Sequence, residues 1–302
     1  MSTYQSKTNT TMEIKLRTSH WMKLMLASLL ALWLSGCEAT LFRFANRGLP
    51  APSLTVAFAP DVGLSMDIYR PTPALATRAP VVVFFYGGSW QRGSRDQYKF
   101  VGQRLAENGV LAVVADYRTY PQAMFPAFMD DAARAVRRVH DDAAGWGGDP
   151  NKLYIAGHSA GAQIAALLAT DPRYLVRQGM KPTDLAGVIG LSGPYDFNVT
   201  NDLVPVFGVS SQWPLAQAVN FVDGDEPPFL LIHGKNDRVV EYAQSVELAR
   251  RLQANGIPVT LDLLPDVGHS TPLIGLYDPK RAPAILSDML AFIANPRGKP
   301  VN

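Results

Sequence analysis

The sequence predicts an α/β protein built on a mostly parallel, eight-stranded sheet with helices on both faces. Two observations carry that expectation. From about residue 53 onward, short apolar runs alternate with amphipathic helical stretches, and strands separated by helices pair in parallel. Residues 80–86 are apolar throughout, as a strand buried on both faces must be. A third observation locates the chemistry: the residues best suited to it follow directly after predicted strands. In open parallel sheets the ligand crevice lies beyond the carboxyl ends of the strands.

Taken in order, residues 54–58 and 64–69 read as a strand pair, and 80–86 as the first fully buried strand. A helix is expected from Ser94, with Ser94 and Gln97 spaced as a capping box and Gly109 as its stop. Residues 110–115 form the next strand. The spacing over 128–140 is helical: Ala132, Val136 and Val139 share one face, while Arg134, Arg137 and Arg138 face water. A strand at 153–156 runs into the tight turn Gly157-His158-Ser159-Ala160-Gly161, then into a small-residue helix over 160–169 that stops at Asp171-Pro172. Strands follow at 187–191, 229–233 and 259–264. Helices over 241–254, stopped by Asn255-Gly256, and over 284–294 complete the pattern. Residues 198–227 interrupt the alternation; rich in Pro, Phe, Trp and Gly, they are expected to form a short cap over the crevice.

The chain has 302 residues, 47% of them hydrophobic and 18% charged, enough for one sizeable core. Its formal charge of +2 is concentrated in a leader, where Lys7, Lys15, Arg17 and Lys23 oppose Glu13. The body is therefore close to neutral and offers no basic face for nucleic acid. Within the leader, basic residues precede an apolar run over 24–34, well short of the ~20 residues that span a bilayer. Ser35, Gly36 and Cys37, the only cysteine, follow. That order describes an export signal over residues 1–36. Leu34-Ser35-Gly36-Cys37 also resembles the lipobox of bacterial lipoproteins, which implies lipidation of Cys37, a tether over 37–52 and a catalytic body over 53–302. The expected location is the cell envelope, on a membrane surface. Translation could begin at Met1 or at Met12.

A serine on a strand-turn-helix corner is exposed as a nucleophile, provided a base takes its proton and a third group orients the base. Of five histidines, His20 lies in the leader, and His140 is expected at the solvent-facing end of a helix. His158 sits beside the serine but is expected to point away, as a packing group. His233 ends a strand and is expected to satisfy local backbone. His269, in the loop Asp266-Val267-Gly268-His269-Ser270 after the last strand, is the candidate base. Asp237 follows the strand that ends at His233 and is the candidate acid, with Asp196 its main competitor; Asp266 stands too close to His269 along the chain. Ser159, Asp237 and His269 therefore make the candidate triad. The developing oxyanion needs backbone donors, for which Ala160 and the glycines Gly87 and Gly88 after the third strand are placed. Trp90, Tyr195, Phe197 and Trp213 are candidates to line an apolar substrate pocket. No metal-ligand spacing, phosphate loop or dinucleotide motif is present, so neither a metal nor a cofactor is expected.

Several stretches also carry a family resemblance: Met66-Asp67-Ile68-Tyr69-Arg70-Pro71, Tyr86-Gly87-Gly88-Ser89-Trp90, Asp116-Tyr117-Arg118, Asp149-Pro150-Asn151-Lys152 and the turn 157–161. Over residues 54–295 the chain resembles bacterial α/β-hydrolase esterases of the hormone-sensitive-lipase and kynurenine-formamidase-like groups. The resemblance implies the α/β-hydrolase fold, Ser159, Asp237 and His269 as the triad, and Gly87, Gly88 and Ala160 as the oxyanion hole. Tyr86 departs from the pattern, since relatives usually carry histidine before the paired glycines, and His158 stands where an acidic residue is common. The implied reaction is hydrolysis of a small or medium neutral ester through an acyl-enzyme. The same machinery could cut an amide, formamide or peptide bond, or pass the acyl group to an alcohol. A binding lipoprotein that has lost turnover is the remaining alternative.

Overall fold

The computed structural model describes residues 42–72, 74 and 77–297. The chain divides into two units, Met1–Arg47 and Gly48–Asn302. In the first, residues 42–45 are helical, while the expected signal segment and Cys37 lie outside the described residues. The second unit carries the sheet.

Eight strands form that sheet: β1 (Leu54–Ala59), β2 (Leu64–Tyr69), β3 (Ala79–Phe85), β4 (Leu111–Ala115), β5 (Gly148–His158), β6 (Gly187–Leu191), β7 (Phe229–Gly234) and β8 (Val259–Leu264). Their spatial order is β1-β2-β4-β3-β5-β6-β7-β8. β2 is antiparallel to both β1 and β4, and every other pair is parallel. Side chains of β3, β4, β6 and β7 are almost wholly buried, which explains why these segments are apolar without alternation. β5 starts well before the expected 153, because the polar stretch Asp149-Pro150-Asn151-Lys152 hides a pairing of Gly148 with Ala79.

The chain leaves β3 for β4 on one side and returns to place β5 on the other. The strand order therefore reverses between β3 and β5, where a parallel sheet opens a crevice at its carboxyl edge. The expected location and the observed topology coincide there.

Helices α1 (Lys99–Glu107), α7 (Thr271–Tyr277) and α8 (Pro283–Ala294) cover one face; α2 (Ala127–Trp146), α3 (Ala160–Thr170), α4 (Pro172–Arg177) and α6 (Ala243–Ala254) cover the other. Arg104 of α1 donates to the carbonyls of Leu276 and Tyr277 at 3.0 Å each, satisfying the end of α7. The capping box expected at Ser94 does not form. Residues Arg95–Tyr98 make a 3-10 turn before α1: the Gln97 N–H donates to the Ser94 carbonyl oxygen at 3.1 Å rather than to its hydroxyl, and the Arg95 N–H donates to Asp116 Oδ1 at 3.0 Å. Gly109 does end the helix, in the left-handed region at φ 82°. α2 outruns its expected end at His140 by almost two turns. Two Arg–Asp pairs one turn apart, Arg137–Asp141 and Arg138–Asp142, support that polar extension at 2.6 Å each. α4 was not expected: Pro172 opens it and the Asp171 carboxylate caps the Arg173 N–H at 3.1 Å. Segment 198–227 holds the one-turn helix α5 (Val204–Phe207) and 3-10 turns over Ser210–Ala216 and Ala218–Phe221.

Among the described residues no helix is long and apolar enough to cross a membrane.

Candidate active site

Backbone strain marks the carboxyl edge of the sheet. Among the described residues, five non-glycine side chains have positive φ: Ser89 and Trp90 after β3, Ser159 after β5, Ser192 after β6 and Asp266 after β8. Such conformations cost free energy and persist where surrounding contacts over-determine them. Ser159, at φ 54° and ψ −123°, is the corner between β5 and α3. The corner is tight because two glycines permit it. A Cβ on Gly157 would run into the backbone of Gly161, and one on Gly161 would run into the Phe85 carbonyl. Helix α3 thus lies directly on the end of β3. The Ser159 N–H is held by Leu191 O at 2.9 Å, tying the corner to β6.

The loop after β3 meets the corner. A Cβ on Gly87 would stand 3.1 Å from both the Ser159 Cβ and the His158 carbonyl oxygen. With hydrogen at that position the loop passes the serine without pushing either neighbour aside. Gly88 has φ 127° and its Cβ would strike the Arg92 carbonyl, so glycine at 88 is a steric requirement of the loop. Tyr86, where the resemblance leads one to expect histidine, is clamped to Tyr117. The Tyr117 hydroxyl donates to Tyr86 O at 2.8 Å, the Tyr86 hydroxyl donates to Tyr117 O at 3.2 Å, and the rings stack at 4.6 Å. Beyond the loop, Arg95 pairs with Asp116. Ala160 opens α3, where the N–H groups of a helix start are free of intrahelical partners.

His269 and Asp237 are joined. His269 Nδ1 lies 2.7 Å from Asp237 Oδ2, and the Asp237 side chain has no exposed surface. A carboxylate can only accept, so Nδ1 carries the proton and Nε2 keeps its lone pair. Burial works against ionisation of Asp237, yet hydrogen bonds from His233, His269 and the Val240 N–H hold its carboxyl well below the usual carboxylate range. Asp196, the competing acid, is exposed, and its N–H donates to Gln244 Oε1 at 2.7 Å. Among the described residues no hydrogen bond joins the Ser159 hydroxyl to His269. Such bonds often tighten only when substrate binds.

Two histidines expected to be passive touch this arrangement. His158 Nε2 donates to the His269 carbonyl oxygen at 2.9 Å, and the two rings lie 4.8 Å apart. Burial and the neighbouring His269 push the His158 imidazole down to about 3, so it stays neutral. His233 does more than satisfy local backbone. Its Nε2 is 3.2 Å from Asp237 Oδ2 and 3.0 Å from Val240 O, and its Nδ1 is 2.7 Å from Ser245 Oγ. The sequence signal for His233 was its place at a strand end four residues before the acid; its partner on α6 was not visible there.

The apolar candidates divide. Tyr195 has no accessible surface and packs under β6, where a Cβ on Gly190 would strike its hydroxyl; it is core rather than wall. Trp90 is also buried and stacks on Phe197 at 5.2 Å. Phe197 and Trp213 keep partial exposure. Among the described residues no three His, Cys, Asp or Glu side chains gather as metal ligands would.

Comparison with known proteins agrees with this architecture. Residues 66–252 match the BD-FAE family model. Esterase LipQ of Mycobacterium tuberculosis is 31% identical over 76% of this chain and 59% of its own length. Isoprenylcysteine alpha-carbonyl methylesterase ICME of Arabidopsis thaliana is 30% identical over 72% of this chain and 55% of its own length. The chain thus spans less than two thirds of these curated relatives. Among solved structures, the thermophilic esterase Est2 of Thermogutta terrifontis superposes with a TM-score of 0.68 at 22% identity, covering 82% of this chain and 96% of that one. A truncated carbohydrate esterase from gut microbiota gives 0.70 at 22% identity, covering 83% and 100%.

Proposed function

This chain belongs to the BD-FAE family and has the α/β-hydrolase fold, and we propose that it is a serine-dependent carboxylic ester hydrolase acting through an acyl-enzyme on a small or medium neutral ester. The observation that carries the reading is the Asp237–His269 hydrogen bond of 2.7 Å, on loops of the same sheet edge as the strained Ser159 corner. Relatives named for ester cleavage support it.

In the proposed cycle His269 Nε2 removes the Ser159 hydroxyl proton as Oγ attacks the ester carbonyl. The carbonyl π electrons move to oxygen, and the Ala160 N–H with the amides of the Gly87-Gly88 loop receives that oxyanion. Collapse breaks the bond to the alcohol oxygen, which leaves with the proton held by His269. Water then gives its proton to His269 and its oxygen to the acyl carbon; the acid departs and Ser159 recovers its proton. Asp237 stays ionised throughout and holds His269 in the tautomer this needs. An export signal over residues 1–36 and a lipid on Cys37, which would hold this body at a membrane surface in the cell envelope, belong to the same proposal and are supported by Leu34-Ser35-Gly36-Cys37.

A fluorophosphonate probe tests the enzyme reading: wild type is expected to label and Ser159→Ala to remain unlabelled while folded. Equal labelling of both proteins, or none of either, would sink it.

A further inference from the structure

We propose that Gln163 is a positioning residue that ties the cap segment to the loop after β3, making the cap a fixed wall that sets how long an acyl chain the site accepts. The proposal rests on the ester-hydrolase reading and deepens it.

Gln163 lies on α3 one turn beyond the nucleophile corner, its N–H donating to Ser159 O at 3.1 Å. Its side chain has no exposed surface. Oε1 accepts from Trp90 Nε1 at 3.0 Å, and Nε2 donates to Ala216 O in the cap at 2.8 Å. Three segments far apart in sequence therefore converge on one carboxamide. A buried amide with both ends satisfied resists movement, because separating it strands a donor and an acceptor away from water.

The surroundings strengthen the tie. Trp90 is held at φ 57°, and its ring meets Phe197 at 5.2 Å and Phe207 edge-on at 4.8 Å. Phe207 in turn meets Phe125 at 5.7 Å and Phe128 at 6.2 Å, so the rings form one apolar joint between cap and body. Two further glutamines hold residues 195–197, where the chain enters the cap. Gln217 Oε1 accepts from the Phe197 N–H at 2.8 Å, and Gln244 Oε1 accepts from the N–H groups of Tyr195 and Asp196 at 2.9 and 2.7 Å. Of the three, Gln163 is the one that also reaches Trp90 and the Ser159 helix. Opening the cap as a lid would break these bonds and part the rings together. Gly87, which abuts Ser159, precedes Trp90 by three residues in the same loop, and Gln163 follows Ser159 by one turn of α3, so the tie joins the cap to both segments that meet at the serine.

The test uses the full-length chain and p-nitrophenyl esters from acetate to octanoate. Gln163→Met conserves volume and removes both bonds. It is expected to lower kcat for acetate with little change in KM, and to raise the octanoate-to-acetate ratio of kcat/KM about tenfold. Amide hydrogen exchange over residues 204–221 is expected to accelerate in the same variant. Trp90→Phe, which keeps an aromatic ring of smaller size and removes the one donor, should shift the ratio the same way by less, and should add little on top of Gln163→Met; it also serves if Gln163→Met does not fold. Faster exchange with a ratio unchanged within about twofold would mean the tie shapes the fold and not the choice of substrate, and would overturn the proposal. Unchanged exchange would overturn the tie itself. Wild type that cleaves none of the esters, with exchange still responding, would remove the ester-hydrolase reading and leave the tie standing.

Discussion

At the residue scale, His158 shows how one buried side chain couples position to pH. It is neutral in the folded protein, titrating only near 3 because burial and His269 disfavour its charge. In the unfolded chain it takes a proton near pH ~6.5. Between those values the unfolded state binds more protons, so folding stability falls as pH falls, by up to about 1.4 kcal/mol per unit. His158→Gln keeps an N–H for the His269 carbonyl and removes the titration. Denaturant unfolding at pH 7, 6, 5 and 4 is expected to show a flatter acid limb in the variant; an unchanged slope would assign the pH dependence elsewhere. The glycines of the corner separate stability from activity. A Cβ on Gly161 meets backbone that cannot swing aside, so Gly161→Ala is expected to cost roughly 2–4 kcal/mol in denaturant unfolding. On Gly87 the contacts of 3.1 Å are marginal and fall on Ser159 and His158. Gly87→Ala should therefore lose about tenfold or more in kcat with little loss of stability.

At the scale of elements, β3, β4, β6 and β7 were readable because burial on two faces leaves apolar residues, and β2, β6 and β8 begin and end where the pattern put them. Element ends were readable where a local residue decides them, as Gly109 and Asp171-Pro172 do. They were not where a distant partner decides: Asp116 holds the Arg95 N–H at the start of the turn before α1, and Ala79 recruits Gly148 into β5. One pairing has a measurable consequence. Asp262 on β8 is pushed up to about 6, by burial first and by Asp288 on α8 second. The fold keeps that proton where the unfolded chain, titrating near ~3.9, has lost it. Stability from this group is present at low pH and is lost as pH rises from about 4 to about 6. Allowing for its partial exposure, Asp262→Asn is expected to stabilise the protein by about 1 kcal/mol at pH 7 and by nothing near pH 4. Thermal melts at the two pH values would show it, and equal shifts at both would refute it.

At the scale of the whole molecule, topology does the assembling. Reversal of the strand order between β3 and β5 sets the Ser159 corner beside the Gly87-Gly88 loop, and the parallel run to β8 delivers Asp237 and His269 at the same edge. The proposed anchor acts at this scale as well. Cys37→Ser is expected to move the protein from the membrane to the soluble fraction with its turnover number unchanged. Retention of the variant on membranes would assign the attachment to another part of the chain.

What the sequence determined by itself was the class of fold, the order of strands along the chain and the Ser159 corner. Each of these is written in local terms: periodicity, a run of buried residues, glycines where a Cβ cannot fit. Beyond the expected Asp237–His269 pair, the tertiary structure alone decided which buried polar groups meet. His158 against the His269 carbonyl and Gln163 between Trp90 and Ala216 are contacts across 111, 73 and 53 residues. Whether a buried polar group finds its partner depends on how helices and strands pack in space, and no short stretch of chain encodes that.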